Sequence, residues 1–219
     1  MFKKENMKYL VVGLLGIAVA ATGVSAYFTA TKTVTNTFEV GSVDIEVQEP
    51  SWDPLNPPTG ITPNQVIAKD PKIVNIGDND AFVFAEVTIP TAEVAVVDEN
   101  GDKLAAADTE LFSYVLKDGW YQMGTYEEVT DDVTGKCIGH TYRYAYGTAT
   151  AMTVVEDETG NLFDEVTFAN VVEGQGLENQ SLDMDVVGYA IQATDLDGHG
   201  ATAKTAPADV WAIYTEQNQ

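Results

Sequence analysis

Apolar and polar residues alternate along most of the chain, and this two-residue period is typical of β-strands that bury one face. Four stretches are predicted strands: Lys72 to Ile76, Thr141 to Met152 and Ser181 to Thr194, and Ala81 to Ile89, which is apolar at most positions. A fifth stretch, Thr31 to Gln48, is rich in threonine and valine, which favour strands. The pattern therefore predicts a chain that is mostly antiparallel β.

Three details refine this pattern. In Ala81 to Ile89 both alternate positions are apolar apart from Glu86 and Thr88, so this strand is predicted to be covered on both faces. The apolar residues shift from even-numbered to odd-numbered positions at Gly41, and the same change in parity recurs near Gly188. A glycine at such a change predicts a β-bulge or a bend that keeps the apolar side inward.

Turn residues and prolines separate the strands. Gly77 to Asp80 fits a hairpin or a tight corner, and Glu49 to Thr62, with four prolines, predicts an irregular loop that Trp52 could anchor. Leu104 to Leu116 fits a strand or a helix equally well. Pro207 to Gln217 fits either a last strand or a helical turn that begins at the proline.

These elements predict an all-β fold, a two-sheet antiparallel sandwich of jelly-roll type with short helical insertions. The sequence contains no repeat period, and the proline-rich loop is too short to isolate a second core. Residues 27–219 are therefore predicted to form a single jelly-roll-like domain.

The first segment has the pattern of a secretory signal peptide. Three lysines precede an uncharged run from Tyr9 to Thr31, and Ala26 is the small residue that signal peptidase requires. Residues 1–26 are predicted to be removed by cleavage between Ala26 and Tyr27. An uncleaved membrane anchor is the alternative, because the uncharged run is long enough to span a bilayer, although its glycines dilute its apolarity.

Cleavage would place two aromatic residues, Tyr27 and Phe28, at the new amino terminus. Burying an aromatic side chain stabilises a protein by roughly 1.5–3 kcal/mol, and an exposed chain end loses that contribution. We therefore expect this terminus to dock in a groove.

Composition and charge exclude several classes of protein. The chain is 45% apolar and 10% aromatic, as in globular proteins, so it is not a disordered chain. Its 34 acidic and 11 basic residues give a net charge of -23, which repels nucleic acids and anionic lipid surfaces. We predict no nucleic-acid partner, and membrane contact only through the signal segment before cleavage. The single cysteine, Cys137, cannot form an internal disulfide.

No catalytic residue is predicted from sequence motifs. The two histidines, His140 and His199, lack the HExxH spacing of zinc peptidases, and the chain has no GxSxG or phosphate-binding loop. Cys137 could act as a nucleophile with His140, three residues away. A thiol in a turn or a half-buried strand is the simpler interpretation.

One acidic turn is a candidate metal site. Asp98, Asn100 and Asp102 have the spacing that opens a calcium loop. The turn departs from the full pattern because Lys103 and Thr109 occupy positions that glycine and a bidentate glutamate would take. Calcium at this turn is the one cofactor that the sequence suggests, and a solvated acidic turn is the alternative.

Several motifs resemble one family of secreted proteins. The run GIAVAATGVSAYFT followed by VTNTFEVGSVDIEV resembles the SipW-dependent signal and first strands of the TasA, CalY and camelysin-like proteins of Gram-positive bacteria. The resemblance is strongest over about Gly13 to Val47. Lys69 to Pro90 and Ser181 to Ile191 add to it, and Asn36-Thr37-Phe38 with the following Gly41 is its most specific part.

The resemblance implies an extracellular or cell-surface jelly-roll subunit that a dedicated signal peptidase releases and that assembles into biofilm fibres. In this family a subunit donates its amino-terminal strand to the next subunit. Carried over to this chain, the donor is residues 27–35, with Tyr27, Phe28 and Val34 among its apolar residues. The partners would be copies of the chain or related fibre subunits. Head-to-tail strand addition at an open sheet edge gives filaments rather than closed rings.

Two other functions remain open at this stage. In the first, the amino-terminal segment folds back on its own subunit, which gives a monomeric or membrane-tethered adhesin or ligand-binding module. In the second, the protein is an extracellular metallopeptidase, because camelysin-like relatives have been classed as such. We expect no enzyme, since the sequence shows no spaced set of metal ligands.

Overall fold

The computed structural model describes residues 41–178, 180–196 and 204–218. In these ranges the chain forms eleven strands and one helix: β1 Ile45–Gln48, β2 Val66–Ala68, β3 Lys72–Asn75, β4 Ala81–Val94, β5 Ala107–Glu110, β6 Phe112–Ser113, β7 Trp120–Gln122, β8 Glu127–Thr130, β9 Cys137–Tyr146, β10 Glu165–Phe168, β11 Asp185–Gln192 and α1 Pro207–Gln217. The predicted signal peptide, its cleavage point at Ala26 and Tyr27, and the donor residues Tyr27, Phe28 and Val34 lie outside the described residues.

The strands form one large sheet and two small ones, and every named strand pair is antiparallel. The large sheet has the order β11-β4-β9-β7, with β5 paired to β4 and β8 paired to β9. The small sheets are β1-β3 and β2-β10-β6. This arrangement confirms the predicted all-β antiparallel fold. Within the described ranges, no helix has the length and apolar character that crossing a membrane requires.

The long strand β4 is buried on both faces, as its sequence predicts. Its odd-numbered residues, such as Val83 and Val87, belong to the main core together with Ile73 of β3 and Val166 of β10. Its even-numbered residues Phe82 and Phe84 belong to a second cluster with Val210 of α1. The strand therefore separates two apolar layers, which explains why both of its parities are apolar.

The segment from Pro207 to Gln217, which fits a strand or a helical turn by sequence, is the helix α1. It begins with proline, whose missing N–H is tolerated in the first turn. Val210 is fully buried, and the Trp211 ring meets Phe84 edge-on at 5.0 Å between centroids. The Arg143 guanidinium lies 4.2 Å from the centroid of the Trp211 ring. These contacts fix the helix on the outer face of the large sheet.

The segment Leu104 to Leu116, ambiguous by sequence, contains strands and no helix. Strand β5 pairs with the end of β4, with Ala107 opposite Val94 and Glu110 opposite Thr91. Strand β6 pairs with β10. Leu111 stands between β5 and β6 and is fully buried, so the chain leaves one sheet and enters another at this residue.

The predicted bulge at Gly188 is wrong. Strand β11 pairs with β4 in a continuous register from Asp185 opposite Thr88 to Gln192 opposite Ala81. The glycine instead allows a close approach of β1, because a Cβ at this position would lie 3.0 Å from Cγ2 of Val47. The apolar positions change parity because Val186 packs against the main core, whereas Tyr189 and Ile191 on the other face of β11 belong to the second cluster.

The tetrapeptide Gly77 to Asp80 forms a corner, because β3 pairs with β1 whereas β4 pairs with strands of the large sheet. The Asp44 carbonyl accepts hydrogen bonds from the N–H groups of Ile76 and Gly77. The Ser42 carbonyl accepts two more from the N–H groups of residues 78 and 79. At Gly77 a Cβ would lie 2.6 Å from backbone atoms of Ser42 and Asp44, so this approach requires glycine.

The proline-rich loop from Glu49 to Thr62 is irregular, as predicted, and contains no strand or helix. Trp52 packs against the main core, and the ammonium group of Lys69 lies 5.3 Å from the centroid of its ring. The same ammonium group forms an ion pair with Glu49 at 2.6 Å. Trp52 thus anchors the loop.

Candidate functional site

Strand β4 brings side chains of β5 and β9 together at one end of the large sheet. Strand β5 pairs with residues 91–94 of β4, and β9 pairs with residues 84–90. Asp108 and Glu110 share one face of β5 because they are two residues apart. His140 of β9 reaches both of them, with its Nδ1 atom 2.7 Å from Glu110 Oε1 and its Nε2 atom 3.9 Å from Asp108 Oδ2.

Asp108, Cys137 and His140 form a group that we call the His140 cluster. Each residue offers one ligand atom, and these atoms all lie within 4.8 Å of one another. His140 is buried, Cys137 is half-buried and Asp108 is exposed. The cluster therefore extends from the protein interior to solvent.

Neighbouring groups fix the orientation of the His140 ring. Glu110 Oε1 accepts a hydrogen bond of 2.6 Å from the Tyr142 hydroxyl and lies 2.7 Å from His140 Nδ1. The Tyr126 ring stacks on the imidazole at 3.8 Å between centroids. Burial and the adjacent Glu110 carboxylate raise the pKa of Tyr142, so its hydroxyl stays protonated and remains a donor.

The tautomer of His140 follows from this contact. The Glu110 carboxylate can only accept, so in neutral imidazole the proton is on Nδ1. The Nε2 atom then carries the lone pair and lies 3.9 Å from Asp108 Oδ2. A carboxylate that holds the far nitrogen of a histidine is the usual outer-shell partner of a metal-binding imidazole.

A cavity of about 450 Å³ adjoins the cluster. Residues of β5 and β6 line it, together with His140 and Ala169. Sulfur, imidazole nitrogen and carboxylate oxygen are the three ligand types that Zn²⁺ takes in proteins. The donor set of the His140 cluster therefore fits Zn²⁺.

This cluster is not among the metal sites predicted from the sequence. Zinc peptidase ligands follow HExxH spacing, whereas Asp108 and His140 are brought together by strand pairing. The Cys137-x-x-His140 spacing was visible in the sequence, but its partners on β5 were not. Cys137 lies half-buried in β9, and its thiol contacts Thr91 Oγ1 and the Gly139 carbonyl oxygen, both at 3.5 Å. This placement agrees with the simpler interpretation, a thiol in a half-buried strand.

The predicted calcium residues lie elsewhere, in a turn that follows Val97. The Asp98 carboxylate accepts hydrogen bonds of 2.9 Å from the N–H groups of Asn100 and Asp102. These hydrogen bonds lower the pKa of Asp98, and the bond from the Asp102 N–H has the largest effect. Asp98 thus closes its own turn, and Asn100 and Asp102 are exposed. Calcium binding at this turn stays a prediction.

A second region of interest is the pair of sheet edges formed by β1 and β11, which we call the open seam. In the part of the chain that the structure describes, β1 pairs with β3 alone and β11 with β4 alone. The two strands approach each other at Gly188, where the side chains of Ile45 and Val47 come close. Each strand therefore keeps one edge without a described pairing partner.

Apolar side chains along the open seam are only half-buried. Val186 and Ala190 of β11 stand opposite Val87 and Val83 of β4, so they point toward the main core. They pack against that core, yet they remain partly exposed, unlike their partners on β4. Further members of the seam with the same partial burial are Val43, Ile45, Val47, Leu182 and Met184.

Comparison with known proteins gives one result for the family. The model of the camelysin metallo-endopeptidase family matches residues 1–111, slightly more than half of the 219-residue chain. The matched range includes Asp108 and Glu110, whereas Cys137 and His140 lie beyond it. No curated protein matches the chain. The match confirms the resemblance that the sequence motifs indicate, and the chain belongs to the camelysin metallo-endopeptidase family.

Proposed function

We propose that this protein is a secreted structural subunit of extracellular fibres, and that each subunit donates its amino-terminal segment as a strand to the next subunit. The open seam is the observation that supports this proposal. An added strand would gain main-chain hydrogen bonds at a free edge and would cover the half-buried residues of β1 and β11. Extracellular or cell-surface localisation and release by a dedicated signal peptidase are parts of the same proposal.

The candidate donor suits this acceptor. Residues 27–35 are about as long as β11, which has 8 residues. Their threonines and Val34 favour an extended strand, and Tyr27 and Phe28 provide apolar area to bury. A subunit that donates its amino-terminal strand to one neighbour still has its own open seam free to accept the strand of another. The contacts therefore continue from subunit to subunit and form a filament.

The donor strand is tested with two forms of the protein, one that begins at Tyr27 and one that begins at Asn36. We expect the first to form filaments visible by electron microscopy and the second to stay monomeric. A labelled peptide of residues 27–35 should bind the shorter form with one peptide per subunit. Filaments of equal length and yield from both forms would exclude residues 27–35 as the donor.

Two matched substitutions test the acceptor. Val186→Asp places a charge on the core-facing side of the open seam, whereas Val187→Asp places it on the other face of β11, where Val187 is 45% exposed. We expect the first to abolish peptide binding and the second to retain it. Equal loss in both variants would show that the seam is not the acceptor. A Tyr27 form that stays monomeric in all salts would favour the monomeric adhesin or ligand-binding module.

Assembly should depend on salt because the subunits carry the same charge. The net charge of -23 makes subunits repel one another at low ionic strength. We expect filaments to form faster with added salt, at acid pH or with divalent cations. Faster growth at low salt and neutral pH would contradict this expectation.

A second candidate function is that of an extracellular metallo-endopeptidase. The family name and the donor set of the His140 cluster support it. Asp108, Cys137 and His140 would hold the ion, and bound zinc would supply Lewis-acid polarisation and an activated water. We would measure casein cleavage with and without a chelator. Cleavage that a chelator abolishes, and that Asp108→Asn also abolishes, would favour the endopeptidase.

A further inference from the structure

We infer that Asp108, Cys137 and His140 form a binding site for a single Zn²⁺ ion, and that Glu110 is the positioning residue that orients the imidazole. This inference does not depend on fibre assembly or on peptidase activity. It concerns residues of β5 and β9, which are distinct from those of the open seam.

The distances in the cluster are close to those of a zinc site. Zinc bonds of about 2.0–2.3 Å to tetrahedral ligands correspond to separations of roughly 3.3–3.8 Å between ligand atoms. His140 Nε2 and Asp108 Oδ2 are 3.9 Å apart, and the ligand atoms of all three residues lie within 4.8 Å of one another. A contraction of about 1 Å therefore suffices. The side chain of Asp108 is 44% exposed, so it is free to make this movement.

The chemistry of the donors selects the metal. Calcium and magnesium take oxygen ligands, whereas a thiolate combined with imidazole and carboxylate favours zinc. Three protein ligands leave a fourth position for water or another small ligand. The adjoining cavity of about 450 Å³, lined by Asp108 and His140 among others, gives that position room.

The contacts of Glu110 are already those of an outer-shell partner. Glu110 Oε1 lies 2.7 Å from Nδ1 of His140, and the Tyr142 hydroxyl donates a hydrogen bond to the same oxygen. The side chain of His140 is 10% exposed, and its ring is stacked on Tyr126, so the orientation of the imidazole is fixed before any ion binds. The competing explanation is that His140 only joins β9 to β5 through its contact with Glu110, and it predicts equal zinc affinity in Cys137→Ser, Asp108→Asn and the unaltered protein.

The experiment uses the metal-free form that begins at Asn36, which is expected to stay monomeric when divalent cations are added; it is kept reduced and titrated with Zn²⁺ and with Co²⁺. We expect binding of one equivalent of Zn²⁺ and a melting temperature that rises with zinc concentration. The Co²⁺ form should show a thiolate-to-cobalt absorption band. Cys137→Ser should remove that band, and Asp108→Asn should weaken zinc binding at least 10-fold.

Two further variants complete the test. Glu110→Gln should weaken zinc binding by about 10–100-fold, as loss of an outer-shell partner does. Asp98→Asn, in the separate acidic turn, is the matched control and should leave zinc binding unchanged. No bound equivalent of Zn²⁺, or equal affinity in Cys137→Ser, Asp108→Asn and the unaltered protein, would overturn the site. Asp108 is exposed, so its variant decides the matter even if a substitution of buried His140 fails to fold.

Discussion

The two sides of the sandwich differ in how completely they bury their apolar residues. At β7 and β9, Trp120 and Tyr144 are 6% and 2% exposed, and Phe163 is fully buried beneath the stacked ring of Tyr114. At the open seam, core-facing residues such as Ile45 and Val186 stay half-buried. The first side is complete within one described chain, whereas the second side has apolar area left to cover.

Polar contacts follow the same division. On the complete side the hydroxyl groups of Tyr114 and Tyr144 are 2.6 Å apart, and the Trp120 indole donates to the Gly160 carbonyl at 3.1 Å. On the other side, one main-chain edge of β1 and one of β11 have no pairing partner among the residues that the structure describes. The more completely buried part of the core and the acceptor surface that we propose therefore lie at different places in the domain. Substitutions on each side should therefore have different effects.

The largest expected effect is on the complete side. Phe163→Ala removes a fully buried ring that stacks on Tyr114 at 4.3 Å between centroids. We expect a loss of about 3–5 kcal/mol in the free energy of unfolding, measured with urea on the form that begins at Asn36. A loss below about 1 kcal/mol would show that this side is not closely packed.

The next effect is a loss of stability at alkaline pH. Burial raises the pKa of Tyr144 to about 12, above the value of about 10 in an unfolded chain. The raised pKa means that protonated Tyr144 contributes about 2–3 kcal/mol to the free energy of unfolding. This contribution is fully present below about pH 10 and is lost as pH rises through about 12. Urea unfolding at a series of pH values should show this decline. In Tyr144→Phe the decline should be smaller, and an unchanged slope would assign it to other groups.

A smaller effect is expected where the two sheets meet at the open seam. In Gly188→Ala the new methyl group would meet Cγ2 of Val47 at 3.0 Å and Cδ1 of Ile73 at 3.1 Å, so these side chains must shift by a few tenths of an ångström. We expect a loss of about 1–2 kcal/mol in the free energy of unfolding and a change in the affinity for the peptide of residues 27–35. Tighter packing with raised stability would mean that the seam has spare room.

The smallest effect on folding is expected at Val186. It is half-buried, so Val186→Ala should cost only about 1 kcal/mol in the unfolding of the isolated subunit. Peptide binding should fall more steeply than folding stability, because the donor strand would complete the burial of this side chain. Equal losses of peptide-binding free energy and of folding stability would show that Val186 is no more important for strand addition than for folding.

The sequence predicted the strands of the large sheet well, because alternation is a local property. The strand β4 could be recognised as covered on both faces from AFVFAEVTI alone. Gly188 could not be assigned correctly, because a glycine that admits a neighbouring strand and a glycine that forms a bulge look the same in one sequence. The helix α1 was ambiguous because its position depends on Phe84, far away in the chain.

The His140 cluster could not be predicted for a related reason. The pairing register of β5 and β9 with β4 brings the ligands together. This register cannot be read from residue spacing along the chain. The short Cys137-x-x-His140 motif on β9 provided a local signal, but Asp108 and Glu110 lie 27 or more positions earlier. Nothing in the composition of β5 marks them as partners of His140.

The corner between β3 and β4 has a mechanical consequence. Ser42 and Asp44 are held by four main-chain hydrogen bonds to residues 76–79, immediately before the central strand of the large sheet. A pull on the chain upstream of Ser42 would load these bonds before it reaches the rest of the domain. In the proposed filament, where the amino-terminal segment carries the link to the next subunit, these four bonds are the first in the described part of the domain that tension would reach.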